Sequence, residues 1–152
     1  MPYQKLQSSS ALKIIPSDSY DIPNYAPVYT GTPSSVGTYK LIDNTQKFSQ
    51  NIVGYTVYDL TGTSVSVVLE VQDENTLLLK DDIIGGSDKY AIFPNTHSGC
   101  VLYVGNGGSL KVTMSGGSEI TFFNVQDGTF LPISVSRVWS TETTATNIVA
   151  LW

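Results

Sequence analysis

From Cys100 to Trp152 the chain is a succession of short segments rich in β-branched and aromatic residues, at 101–104, 110–114, 120–123, 131–139 and 148–152, separated by Gly, Asn or Asp-Gly clusters. Segments of that length and spacing read as strands joined by tight turns. Leu110, Val112 and Met114 fall on one face of their segment and Ser109, Lys111 and Thr113 on the other, the period-two pattern of a half-buried strand. Asn106-Gly107-Gly108, Ser115-Gly116-Gly117 and Asp127-Gly128 carry hairpin or tight-turn signals. Ile133, Val135, Arg137 and Trp139 share a face by the same count, with Arg137 interrupting the apolar row. Val138 breaks the alternation, so a bulge is expected near it. The sequence stops on Ile-Val-Ala-Leu-Trp, which puts its end inside a sheet, where the rest of the chain or another subunit must cover it.

Residues 1–32 have a different texture. Pro2, Pro16, Pro23 and Pro27 forbid a regular helix and remove ladder donors, so this stretch reads as an extended arm with one short strand at 11–15, part of it packing on the C-terminal sheet. Pro16-Ser17-Asp18 and Asp21-Ile22-Pro23 read as linked turns. Residues 33–95 alternate strand and turn signals: 64–67 alternates with period two, 68–71 continues it with one slip, and 76–79 and 90–93 follow after an Asp-rich turn and a Gly-Gly turn. About five short strands in such a span suggest a small barrel or roll. Helical spacing of apolar residues is missing throughout. The expected fold is all-β: a C-terminal antiparallel β-sandwich, jelly-roll-like, over 96–152, a small β-barrel-like module over 33–95, and an extended Pro-rich N-terminal arm over 1–32.

Composition narrows function by exclusion. Charged residues make up 14 % of the chain, against roughly 25 % in ordinary soluble domains, so much of the surface is neutral and suits lasting contact with neighbours. The net charge is −5, and the cations are scattered Lys residues plus Arg137 alone, so a phosphate backbone is repelled and nucleic-acid binding is not expected. No apolar run approaches the roughly 20 residues that span a membrane, and the opening Met1-Pro2-Tyr3-Gln4-Lys5 has no apolar core of a secretory signal.

Chemistry is sparse. His97 is the only histidine and lies in a stretch with linker composition, so neither a triad nor, with Cys100 as the one cysteine, a zinc site is expected in a single chain. Cys100 reads as a small buried hydrophobe. Asp73, Glu74, Asp81, Asp82 and Asp88 are the best cation candidates, but they depart from EF-hand spacing and sit where turns call for Asp. Gly105-Asn106-Gly107-Gly108 lacks the helix and the lysine of a phosphate loop. No cofactor and no catalytic residue is expected. Tyr20, Tyr25 and Tyr29 cluster in the arm, which has no core of its own, and are assigned with Arg137 and Trp152 to a subunit interface. Arg137 is expected to pair with Asp18 or Asp21 of the arm, a task for which the planar guanidinium is better suited than an ammonium.

One resemblance stands beside this reading. Leu102-Tyr103-Val104-Gly105-Asn106-Gly107-Gly108-Ser109-Leu110-Lys111-Val112, Phe123-Asn124-Val125-Gln126-Asp127-Gly128-Thr129-Phe130-Leu131-Pro132, Val135-Ser136-Arg137-Val138 and the stretch 143–152 resemble, in that order, the spike-base proteins of tailed phages and gene transfer agents, as does Pro16-Ser17-Asp18 near the start. In short members of that family the Pro-Ser-Asp segment leads almost directly to the Leu-Tyr-Val-Gly strand, so the middle module reads as an insertion similar to small β-modules of phage virion proteins. The resemblance implies a non-enzymatic virion component, a capsid decoration (cement) or head-spike or fibre base protein, assembled in the host bacterial cytoplasm. Its partners would be copies of itself, as trimer or pentamer, and the major capsid protein, other virion proteins or a fibre. Two other classes stay open. One is a tail-associated, host-receptor or carbohydrate-binding β-module, with Tyr residues and Trp139 as stacking platforms. The other is a small hydrolase, which requires Asp73, Asp81, Asp82 or Glu119 to converge.

Overall fold

A computed structural model describes residues 8–23, 25–95 and 99–152. Among them the fold is all-β, with thirteen strands: β1 (Ala11–Lys13), β2 (Tyr29–Gly31), β3 (Ser35–Gly37), β4 (Lys40–Ile42), β5 (Thr56–Asp59), β6 (Ser64–Asp73), β7 (Thr76–Leu79), β8 (Tyr90–Phe93), β9 (Cys100–Asn106), β10 (Gly108–Met114), β11 (Glu119–Val125), β12 (Thr129–Val138) and β13 (Thr146–Leu151). Among the same residues one 3-10 turn, Gln50–Ile52, precedes β5. The chain divides into two compact units, one of Met1–Asn24 with His97–Trp152, the other of Tyr25–Thr96.

The first unit is one antiparallel sheet in the order β1-β13-β9-β12-β10-β11. Only β10 and β11 form a hairpin, through Ser115-Gly116-Gly117, where Gly117 (φ 95°) takes the left-handed turn. The hairpin signal at Asn106-Gly107-Gly108 resolves differently. β9 and β10 do not pair; they are one long strand bent at Gly107. The segment from Val138 to Leu151 runs antiparallel along the whole of it: Val138 lies opposite Val112, Trp139 N–H donates to Lys111 C=O, Thr144 and Ala145 N–H donate to Ser109 C=O, Thr146 lies opposite Asn106 and Leu151 opposite Val101. The start of β12 covers the other side of β9, with Phe130 opposite Tyr103 and Leu131 opposite Leu102. Asp127-Gly128 likewise turns the chain between strands that are not neighbours.

These pairings roll the sheet around one core. Leu102 and Val104 of β9, Leu110 and Val112 of β10, Val135 and Val138 of β12, Ile148 and Ala150 of β13, and Ile14 and Ile22 of the arm share a single buried cluster. Pro132, which cannot donate to a ladder, sits where β12 breaks register with β9 between Leu131 and Val135. The bulge expected near Val138 lies at Ser136: Met114 is opposite Val135 and Thr113 opposite Arg137, with Ser136 extra. Its physical effect corrects the face assignment. The added residue lets Val135 and Val138 both point inward and turns Arg137 and Trp139 off the core face, where they are half-buried.

The second unit is a seven-stranded sheet, β2-β8-β5-β6-β7-β4-β3. Its edge strands, β2 and β3, are consecutive in the chain, joined by residues 32–34. Laid flat, seven strands put their edges about 29 Å apart, whereas four residue steps reach about 14 Å. The sheet therefore has to curl. β6 makes the corner, pairing with β5 through its first half and with β7 through its second, with register shifts at Val68/Glu70 where the sequence slips. Leu41, Val57, Val68, Leu77, Leu79, Tyr90 and Ile92 fill the inside. The expected arm over 1–32 is thus shorter: β2 pairs with β8, so residues from Tyr25 onward belong to this unit and not to the arm.

Candidate functional site

Residues of the arm meet the C-terminal sheet at Arg137. The Ser136 bulge aims the Arg137 side chain at the arm, where Nε donates to Asp21 Oδ1 at 2.9 Å and Nη1 to the Asp18 carbonyl at 3.1 Å. The Asp18 carboxylate in turn accepts the Thr141 N–H at 2.9 Å and the Thr141 hydroxyl. These bonds, from the Thr141 side chain first, hold Asp18 below the ordinary carboxylate range. Trp139 completes the cluster. Its Nε1 donates to Thr113 Oγ1 at 2.9 Å, and Lys111 Nζ and Arg137 Cζ lie 4.7 and 5.5 Å from its ring centre. Farther along the arm β1 pairs with β13, Ile14 N–H donates to Ile148 C=O, and Ile22 N–H donates to Ser136 C=O. The arm is thereby fastened at both ends of its course over the sheet.

The interface candidates separate on inspection. Trp152 packs half-buried against the C-terminal core, and its backbone exchanges bonds with Ser10. Tyr20 is half-buried, with its N–H on Ser17 Oγ. Tyr25 is exposed. Tyr29 is half-buried: its ring meets Phe48 edge-on at 5.1 Å, and its hydroxyl donates to Lys47 C=O and accepts from Ser49 N–H. Tyr29 thus belongs to the curled sheet and not to the arm, because β2 pairs with β8. Arg137 is occupied by the arm of its own chain.

A second feature was not read from the sequence. Across β1, β13, β9 and the start of β12, the outward side of the C-terminal sheet is apolar as well. Phe130 lies opposite Tyr103, and Tyr103 opposite Val149. In the next row Val101 lies opposite Leu151, and Leu151 opposite Ala11. Tyr103 and Phe130 are 40 % and 53 % exposed, and Phe123 on edge strand β11 is 73 % exposed. Lys13, opposite Val149, is the one charge in these rows. Antiparallel sheets with one solvated face normally alternate polar residues outward. The signal was available in Val101, Tyr103, Val149 and Leu151, each one residue out of phase with the core positions.

The chemistry sought in the sequence is spread over turns. Asp73 Oδ1 accepts from Asn75 N–H, Asp81 is bonded to Ser66, Asp82 accepts from Tyr39 N–H, and Asp88 from Gly85 N–H. Among the described residues no group of three or more His, Cys, Asp or Glu is placed to hold a metal ion, and no helix is long and apolar enough to cross a membrane. His97 lies outside the described residues. Cys100 is buried with its thiol donating to Val135 C=O at 3.4 Å, and burial pushes the thiol up to about 12.

Of the buried polar side chains among the described residues, Asp59 accepts the Thr61 and Gly62 N–H groups of its own turn, and Asp43 makes the longer-range bonds. Asp43, fully buried just past β4, accepts the Tyr90 hydroxyl at 2.6 Å on Oδ2, and on Oδ1 the Thr45 N–H and hydroxyl at 2.9 and 2.6 Å. Burial alone would raise its pKa; the bonds from Thr45, Tyr90 and Ser34 outweigh it and lower the pKa. β4 and β8 sit near opposite ends of the strand order, so this bond clasps the curl where no ladder does.

No family model matches this chain, and neither a curated protein nor a solved structure matches it significantly.

Proposed function

We propose that this chain is a non-enzymatic structural subunit of a tailed-phage virion, a capsid decoration protein or the base of a head spike or fibre, that works by assembling with copies of itself and with the shell. The observation that carries this reading is the apolar outward face of the C-terminal sheet, built from Phe130, Tyr103, Val149, Val101 and Leu151. Such a face is stabilised when another surface covers it. Low charge supports the reading, as does an arm tied down by Arg137, because a subunit that must stay assembled gains from a preorganised surface. The stretches that resemble spike-base proteins fall on β9, β10, the end of β11, the 127–128 turn, β12 and β13, all parts of that sheet or its turns.

Light scattering of the purified chain at micromolar concentration tests the reading. A symmetric oligomer that persists on dilution is the expected result, and a monodisperse monomer refutes self-assembly. Electron micrographs of the particle bearing the chain decide the virion position. The alternative, a receptor- or carbohydrate-binding module, draws on the same exposed pair, Tyr103 and Phe130. A glycan-array signal abolished by Tyr103→Ser would favour it over assembly.

A further inference from the structure

We propose that Asn106 is a latent isoaspartate site, held closed in the folded chain by Asp127. The inference stands apart from the assembly reading. Gly107 cannot be replaced: a Cβ there would overlap the Val125 carbonyl oxygen, at the point where the β9–β10 strand bends. The fold thus obliges Asn106 to be followed by the one residue without a side chain to shield its amide nitrogen.

In an Asn-Gly pair the Gly107 nitrogen can attack Asn106 Cγ. The N–Cγ bond forms, the Cγ–Nδ2 bond breaks, and the nitrogen's proton departs with Nδ2 as ammonia, leaving a five-membered imide. Water then adds to one imide carbonyl, and cleavage of that carbon–nitrogen bond gives aspartate or isoaspartate with one new negative charge. No electrons change hands, and water is the only co-reactant.

Three contacts oppose the first step. Asn106 is in extended backbone opposite Thr146, which turns Cγ away from the following nitrogen. Gly107 N–H donates to Asp127 Oδ1 at 2.6 Å, a charge-assisted bond that fixes the attacking nitrogen. Asn147 Nδ2 donates to Asn106 Oδ1 at 2.5 Å, with Asn147 itself in left-handed backbone at φ 54°. Attack requires rotation about the Asn106 backbone, which strains all three. Asn106, Asp127 and Asn147 are all exposed, so water reaches the site as soon as this bend opens. Strand ends and turns open locally well before the whole fold does. Isoaspartate adds a backbone atom at a bend that has no space for a Cβ, so the reacted chain cannot restore the Asn106–Thr146 pairing and the start of β13 stays loosened.

The test incubates the folded wild-type chain, the urea-unfolded chain and Asp127→Ala at neutral pH. Peptide mass mapping of the fragment containing Asn106 and labelling by an isoaspartyl methyltransferase read the outcome. Loss of a hydrogen bond to a charged group should raise the open population, and with it the rate at Asn106, about tenfold. The unfolded chain should react fastest. Equal rates for wild type and Asp127→Ala overturn the proposal, as does a folded wild type that reacts as fast as the unfolded chain. Hydrogen exchange at the Gly107 amide of wild type gives a reading that needs no variant: protection is expected, and exchange at the unprotected rate overturns the latch.

Discussion

The bond between Tyr90 and Asp43 clasps the curled sheet of the middle unit, and removing it should reveal a coupling that the exposed Lys47–Glu74 pair lacks. Tyr90→Phe deletes a fully buried hydroxyl that donates to a carboxylate at 2.6 Å. Hydrogen bonds to charged groups contribute about 1.5–3 kcal/mol, so a loss near 2 kcal/mol is expected. Asp43→Ala removes the acceptor for Tyr90 and Thr45 together and strands the Tyr90 hydroxyl in the core, which costs about 3–4 kcal/mol. The double variant no longer has a stranded hydroxyl. Its cost should fall short of the sum of the singles by about 1–2 kcal/mol. Gly31 belongs to the same clasp, since a Cβ there would come 2.7 Å from Asp43 Oδ2 and 3.0 Å from the Tyr90 hydroxyl, so Gly31→Ala should also destabilise.

The assay can be made unit-specific. Trp139 and Trp152, the chain's two tryptophans, both lie in the unit of Met1–Asn24 with His97–Trp152. Tryptophan fluorescence in a urea titration therefore follows that unit, while hydrogen exchange at β5, β6 and β8 follows the middle one. The variants should lower exchange protection in the middle unit. Additive costs within about 0.5 kcal/mol refute the clasp. The sign with pH is fixed by the same contacts. Because Asp43 is lowered in the folded state, its contribution is fully present above the unfolded value near 3.9 and fades as pH falls through the lower folded value. Asp43→Asn should flatten that acid limb, and an unchanged limb would locate the acid sensitivity elsewhere.

Three other outcomes are expected. Arg137→Lys cannot reach Asp21 Oδ1 and the Asp18 carbonyl together, so it should loosen the arm at a cost under about 1 kcal/mol, because the pair is part-exposed; unchanged melting temperature and unchanged oligomer size refute a docking role. Phe130→Ser with Tyr103→Ser should leave urea stability nearly unchanged while shifting light-scattering mass towards monomer, and an unchanged mass refutes use of that face in assembly. Cys100, whose thiol burial pushes up to about 12, should resist thiol reagents in the folded chain and react on unfolding, whereas native labelling would contradict its burial.

Strand existence was legible where side chains alternate, as at 64–67 and 110–114, because period two is a local property. The slip at 68–71 and the break at Val138 were legible as irregularities, and both are bulges within two residues of where the pattern fails. Which strands pair was not legible at Asn106-Gly107-Gly108, since the same residues that make a hairpin also make a bend in one long strand, and only the distant partners 138–151 decide between them. β2 was hidden by Pro27 and its shortness; three residues carry no periodicity, and their pairing with β8 spans the whole module. Arg137 was legible because a lone guanidinium on a mostly apolar strand calls for a partner, and the arm offered two carboxylates. Asp43, beside Asn44 and Thr45, carries no sequence signal that singles it out. Its role depends on Tyr90, 47 residues away, which only the curl brings within reach.

The two sheets answer the problem of unpaired edges in different ways, and the difference bears on where partners would dock. In the middle unit the edge strands β2 and β3 are each three residues long, and a three-residue link joins them directly. A partner strand finds little ladder there to extend. In the C-terminal unit β11 is a seven-residue edge with one charge, Glu119, and Phe123 beside the positive-φ residue Asn124 protrudes from it. The outward rows led by Phe130 and Tyr103 lie on the same rolled sheet. Edge, aromatic and apolar face therefore coincide in one unit, and the N-terminal arm braces it through Asp21 and Ile22. An assembly built on this unit would place no demand on the short, curled edges of the middle module.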